Sequence, residues 1–150
     1  MSIFIPHIIE TLFIEIIKEN NKSVIVGIIY RPNTLPKADL DIFIKSILDI
    51  TELINRENKQ VFLMGDFNID LLKYDVHQKT KDFVDDIVAL GFIPIITKPT
   101  RITNHSATLI DHIYTNISNE DVKSGIIITD ISDHFSVFAT VMDKESNNIK

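Results

Sequence analysis

Three short motifs carry the residues that could do chemistry. The first is Val61-Phe-Leu-Met-Gly65-Asp66-Phe67-Asn68. An apolar run ends, a glycine turns the chain, and a carboxylate and a carboxamide follow. In α/β sheets ligands bind at the carboxyl ends of strands. Asp66 and Asn68 stand two apart, so an extended backbone would point both to one side. A plain strand-to-loop turn with a capping aspartate reads the same residues. A calcium loop is excluded, although Asp66-x-Asn68-x-Asp70 opens like one. Leu71 stands where the glycine is required, and His77 where the bidentate glutamate is required.

The other two motifs are Ile110-Asp111-His112 and Ser132-Asp133-His134. Adjacent Asp133 and His134 cannot share one face of a strand, which places them in a loop. There the aspartate can face a metal while the histidine faces a substrate. An aspartate in an apolar strand is costly unless paired, and a catalytic histidine needs an orienting carboxylate. Asp111 and His134 are therefore the natural pair. Each histidine taken singly also reads as an ordinary core or surface residue.

The elements that must position these motifs follow from periodicity. Leu12 to Ile17 alternates apolar and charged residues and reads as a strand. Glu19-Asn20-Asn21-Lys22 reads as a hairpin turn. Ser23 to Tyr30 is a β-branched strand, apolar on both faces, that runs into Arg31-Pro32. Leu40, Phe43, Ile44, Ile47, Leu48, Ile50, Leu53 and Ile54 are spaced for a helix over 37–57. Val61 to Met64 is a short strand, and Lys79 to Leu90 a second helix closed by Gly91. Phe92 to Ile96, Leu109 to Tyr114, Gly125 to Ile128 and Phe135 to Val141 read as further strands. The class is mixed α/β with a central sheet, over residues 1–142. Asp143 to Lys150 is a polar tail.

Composition narrows the classes. The 150 residues are 45% hydrophobic, as in a globular domain, and include no cysteine. That excludes disulfides and thiolate metal sites. A net charge of -6 argues against a general nucleic-acid coat. It does not argue against a nuclease whose carboxylates hold a metal. Two of the three arginines, Arg31 and Arg101, fall inside motifs, where a guanidinium can grip phosphate. The apolar start, Met1 to Ile17, lacks the features of a secretory signal, and Pro6, Glu10 and Glu15 exclude a membrane span. An intracellular, non-secreted protein is expected.

Taken together, Tyr30-Arg31-Pro32, Gly65-Asp66-Phe67-Asn68, Pro99-Thr100-Arg101, Ile110-Asp111-His112 and Ser132-Asp133-His134 resemble the endonuclease/exonuclease/phosphatase superfamily, the DNase I-like fold. Tyr30-Arg31-Pro32 and Lys98 to Thr103 most resemble endonuclease domains of jockey-like non-LTR retrotransposons. The resemblance covers about Ile9 to Val141. It implies an α/β fold, a DNase I-like four-layer sandwich, incomplete because only its C-terminal part is present. It implies Mg²⁺ or Mn²⁺ and hydrolysis of a phosphodiester in DNA, with a reverse transcriptase domain on the same full-length chain and nuclear work. By the same resemblance Asp66 orients or deprotonates the attacking water. Asn68 holds Asp66 and a phosphoryl oxygen. His134 stabilises the transition state, Asp111 orients His134, and Tyr30 approaches the scissile phosphate. Asp133 is a metal-side ligand, and Thr100, Arg101 and Arg31 are phosphate or DNA contacts. The family also carries an asparagine and a metal-binding glutamate upstream of its tyrosine motif. Glu10-Thr11 superficially matches that glutamate motif but reads as the lead-in to a strand. An uncovered sheet face and self-association through it follow from a missing layer. The alternatives are a catalytically inactive binding fragment, and a small-molecule or lipid phosphatase of the same superfamily.

Overall fold

The computed structural model describes residues 4–5, 8–17, 23–33, 37–118 and 120–142. The turn expected at 19–22 and the tail from residue 143 lie outside them. In chain order the strands are β1 (Phe4–Ile5), β2 (Ile9–Ile17), β3 (Ser23–Tyr30), β4 (Gln60–Asp66), β5 (Ile93–Pro94), β6 (Arg101–Ile102), β7 (Ala107–Thr108), β8 (Asp111–Thr115), β9 (Val122–Ile127) and β10 (Ser136–Val141). Helix α1 spans Lys37–Asn55 and α2 spans Gln78–Ala89. A six-stranded sheet has the order β1-β2-β3-β4-β8-β5, and β9 and β10 form a separate two-stranded sheet. β3 and β4 pair in parallel, with α1 as the crossover. The neighbouring pairs β2–β3 and β4–β8 are antiparallel.

Three layers result: helices, six-stranded sheet, two-stranded sheet. On one face of the large sheet, Phe43, Ile47 and Ile50 of α1 and Phe83 and Ile87 of α2 bury against Ile29, Val61, Leu63 and Tyr114. On the other, Val24, Phe62 and Ile113 pack beneath β9 and β10, where Val122, Ile126, Val137, Ala139 and Val141 point inward. This hairpin covers only part of that face. Over β2 and β3, Leu12, Ile14, Ile16 and Ile28 remain 52%, 47%, 48% and 48% exposed. The uncovered face expected from an incomplete sandwich is therefore present.

Some elements differ from their sequence expectation. The strand expected over 92–96 shrinks to Ile93–Pro94, because Pro94 has no amide to donate to a ladder. β9 begins three residues earlier than its apolar run, at Val122. β6 and β7, two residues each, are too short to show a period. His77, whose place ruled out a calcium loop, caps α2 by accepting the Thr80 amide at 3.3 Å.

Gly65 is needed where the fold turns towards its first motif. Its φ is +138°, and a Cβ there would lie 2.0 Å from the backbone oxygen of Ile29 on the paired strand. Backbone cannot yield as a flexible side chain can. Gly65→Ala is expected to cost roughly 3 kcal/mol or more, read as a fall in the denaturant midpoint. A near-unchanged midpoint would mean that β3 and β4 are not held this closely.

Candidate active site

Sheet register assembles the motif residues in one line. Tyr30 pairs with Asp66, and Asp66 pairs with Asp111. All three project from the face opposite the helices, since their alternate neighbours Val26, Met64 and Ile113 belong to the core beneath β9 and β10. Glu10 faces Tyr30 across β2 and extends the same line. Tyr30 is exposed at the end of β3, at the rim.

His134 reaches Asp111 from the loop just before β10. Its Nδ1 lies 3.2 and 3.1 Å from the two Asp111 carboxylate oxygens, so the ring donates there and turns Nε2 away. The segment Asp133 to Phe135 is fixed by pairing with β6. Ile102 donates to the Asp133 carbonyl at 3.1 Å, Phe135 donates to the Thr100 carbonyl at 2.7 Å, and Arg101 forms a bridge with His134. This pairing explains why the Pro-Thr-Arg segment matters to a histidine more than thirty residues away.

Asp66 is half-buried. Burial raises its pKa above the usual carboxylate value. The Asn68 amide, donating to it at 2.9 Å, lowers it, and nearby Asp111 raises it. Asn68 does not follow the extended backbone expected of it. Its φ is +48°, the left-handed turn that asparagine tolerates. The turn brings its main-chain N–H onto Asp66, while its carboxamide donates to the Arg31 carbonyl at 2.6 Å. The Arg31 amide in turn donates to the Asp66 carbonyl at 2.9 Å.

The remaining expected residues are placed as follows. The Arg31 guanidinium lies over the Phe43 ring, 5.6 Å from its centroid, towards α1 rather than the carboxylates. Its Nε is buried and has no hydrogen-bond partner among the described residues. Asp133 binds Arg101 Nε at 2.7 Å, a partly exposed pair beside His134. That contact holds the Asp133 carboxylate low. Thr100 departs from its expected place as a phosphate contact. It is fully buried, and its hydroxyl accepts the amides of Ile110 and Asp111 at 3.2 and 3.0 Å. It is a support for the Asp111 backbone.

Asp66, Asp111 and His134 bring one ligand atom each to within 4.8 Å of one another. The donor set fits a hard divalent cation, whose preferred ligands are carboxylate oxygens and water. Two facing carboxylates, one with its pKa raised by burial, are the kind of excess negative charge that a cation relieves. Asp66 and Asp111 would hold it. The ring of His134 is already committed to Asp111, and Asp133 stands outside the group.

The family model for the Endonuclease/Exonuclease/phosphatase family matches residues 4–134. The chain belongs to that family. Among solved structures it is similar to the endonuclease domain of TRAS1, a telomere-specific non-LTR retrotransposon, with a TM-score of 0.66 at 15% identity. That match covers 87% of this chain and 61% of the TRAS1 domain. The 3'-5' exonuclease NExo of Neisseria meningitidis matches with a TM-score of 0.64 at 16% identity, over 86% of this chain and 64% of NExo. The Xenopus laevis APE2 catalytic domain matches with a TM-score of 0.64 at 18% identity, over 89% of this chain and 55% of APE2. The family member thus spans between about half and two thirds of these structures. No curated protein sequence matches it.

His112, the other histidine of the second motif, points to the helix side. It stacks on Phe67 with centroids 4.8 Å apart, and burial pushes its pKa down to about 4. The unfolded ring binds its proton near the ordinary 6.5, so the unfolded chain takes up protons first as pH falls. The stability carried by the neutral ring is complete above pH 6.5 and is lost as pH falls towards 4. The loss is on the order of 3 kcal/mol. Asp66, with its raised pKa, contributes in the opposite sense. Denaturant unfolding at several pH values should show a wild-type decline that His112→Gln largely lacks. Parallel curves would show that His112 is not buried neutral.

Proposed function

We propose that this family member hydrolyses phosphodiesters in DNA with a divalent cation, as the nicking endonuclease of a non-LTR retrotransposon. The observation that carries the reading is the Asp111–His134 pair placed beside Asp66. The family and the named activities of two neighbours, an endonuclease and an exonuclease, support it. In this reading Asp66, a stronger base for its burial, takes the proton of a water aligned with the phosphorus. Asn68 holds Asp66 in place. The water oxygen bonds to phosphorus as the bond to the 3′ oxygen breaks, and that oxygen takes a proton from solvent water to leave as a 3′ hydroxyl. His134, oriented by Asp111, turns Nε2 to a phosphoryl oxygen, where Tyr30 also reaches. Arg101, held by Asp133, would lie along the DNA backbone. A bound Mg²⁺ or Mn²⁺ would neutralise charge on the phosphoryl oxygens. A reverse transcriptase domain on the same chain would use the freed hydroxyl, and that work belongs in the nucleus. Among the described residues no helix is long and apolar enough to cross a membrane.

Mg²⁺ is usually held by one or two carboxylates together with substrate phosphates, and here one of the two, Asp111, is shared with the ring of His134. We therefore expect slow nicking of supercoiled plasmid by the isolated chain, dependent on Mg²⁺ or Mn²⁺ and stopped by EDTA. Nicking that persists in EDTA, or none with either cation, would overturn the enzymatic reading for this chain. Fast nicking would instead show that the cation is fully held by residues present here, Glu10 foremost.

A further inference from the structure

We infer that His112 sets the separation of Asp66 and Asp111, and through it the affinity of that pair for a divalent cation. The inference rests on the reading of this pair as the cation site. The two carboxylates sit at the ends of β4 and β8, where the ladder stops. Beyond that point the chain leaves β4 through Phe67 to Leu71 and enters β8 through Leu109 and Ile110. His112 ties these two connections together. Its Nε2 lies 2.8 Å from the Ile69 carbonyl and 3.1 Å from the Leu109 carbonyl. Both partners are acceptors, so Nε2 carries the proton and donates to both.

The ring is fully buried, flat against Phe67 and edge-on to Tyr114. It therefore has no freedom to give up either contact. Around it the two connections are laced by Phe67 N–H to the Ile110 carbonyl, Leu71 N–H to the Leu109 carbonyl, and Leu109 N–H to the Asp70 carboxylate, each 3.0 Å. Among these, His112 is the side chain that reaches both connections from inside the core. Thr100 steadies only the β8 side, through Ile110 and Asp111. Groups that orient metal ligands from behind typically change cation affinity by about 10- to 100-fold when removed. His112 holds the connection that follows one ligand and the connection that precedes the other.

The test replaces the donor while keeping the ring. His112→Phe preserves the stacking shape and removes the N–H, whereas His112→Gln restores an amide donor. Mn²⁺ binding is titrated by electron paramagnetic resonance, well below each variant's melting temperature. Ile87→Val, at a buried position of α2 outside both connections, serves as a destabilised control. Amide exchange of Phe67 and Leu71 is followed in parallel. We expect His112→Phe to weaken Mn²⁺ about 10-fold or more and to speed exchange at both amides. His112→Gln should recover much of the affinity, and Ile87→Val should leave it unchanged. Undiminished affinity in His112→Phe, or an equal loss in Ile87→Val, would overturn the inference. Wild-type protein that binds no Mn²⁺ would overturn the cation reading itself, a failure distinct from a variant that binds as well as wild type.

Discussion

His134→Ala is expected to lower plasmid nicking by about 10³-fold, and Asp111→Asn by a comparable factor. The expectation follows from the bond between them. With Nδ1 donating to Asp111, the ring is held in one tautomer and one orientation, and Nε2 is the atom that can meet the phosphate. Loss of a positioned general acid or of a transition-state donor typically costs about 10²- to 10⁴-fold. An asparagine at position 111 can keep the contact yet favour the wrong tautomer, which is as damaging as losing the ring. Because the two residues act as a unit, the double variant should be scarcely slower than either single one. His134 lies in a partly exposed loop, so the melting temperature should move little. Multiplicative losses in the double variant would show that the two residues act separately. Full activity in His134→Ala would remove this histidine from the chemistry.

The second large effect is on assembly. Leu12, Ile14, Ile16 and Ile28 form an apolar field on the outer side of β2 and β3, next to strands that β9 and β10 already seal. Monomeric proteins seldom expose contiguous apolar patches beyond a few hundred Å². At roughly 25 cal/mol per Å², covering several hundred Å² is worth on the order of 10 kcal/mol, comparable to the stability of a whole domain. The isolated chain should therefore elute as a dimer or larger species in size-exclusion chromatography with light scattering. Paired charged substitutions, Ile14→Glu with Ile28→Lys, should return it towards a monomer without disturbing the helix-side core. A wild-type monomer with a cooperative melt would refute the expectation.

How far the sequence could be read depended on whether a residue's role was local. Gly65-Asp66-Phe67-Asn68 was legible because a glycine after an apolar run marks a strand end, and a strand end is where an α/β sheet presents polar groups. The Asp111–His134 pair was legible from chemistry, since a buried aspartate and a working histidine each need a partner. The turn at Asn68 was not, because residue spacing cannot show that a backbone enters the left-handed region. The contacts of Thr100 and His112 were not legible, for another reason. A polar side chain looks the same in sequence whether it faces a ligand or the core. What separates the two is the partner, here the amides of Ile110 and Asp111 and the carbonyls of Ile69 and Leu109, and those contacts exist only after folding. The Arg101–Asp133 pair was hidden in the same way, by a separation of thirty-two residues. Helices α1 and α2 emerged nearly as read, because their apolar spacing is a property of the segment alone.

Asp111 opens β8 of the large sheet, whereas His134 lies in the loop just before β10, and bonds from β6 hold residues 133–135 in place. Structural units joined in this way can open below the free energy of global unfolding. The hydrogen bond between these two side chains thus reads out the seating of the loop before β10 on the large sheet. The proposed chemistry would need β9 and β10 seated, however intact the strands and helices beneath remain. In the proposed reading, competence depends on this seating and not on secondary structure alone, so activity would be lost in a chain that still looks folded.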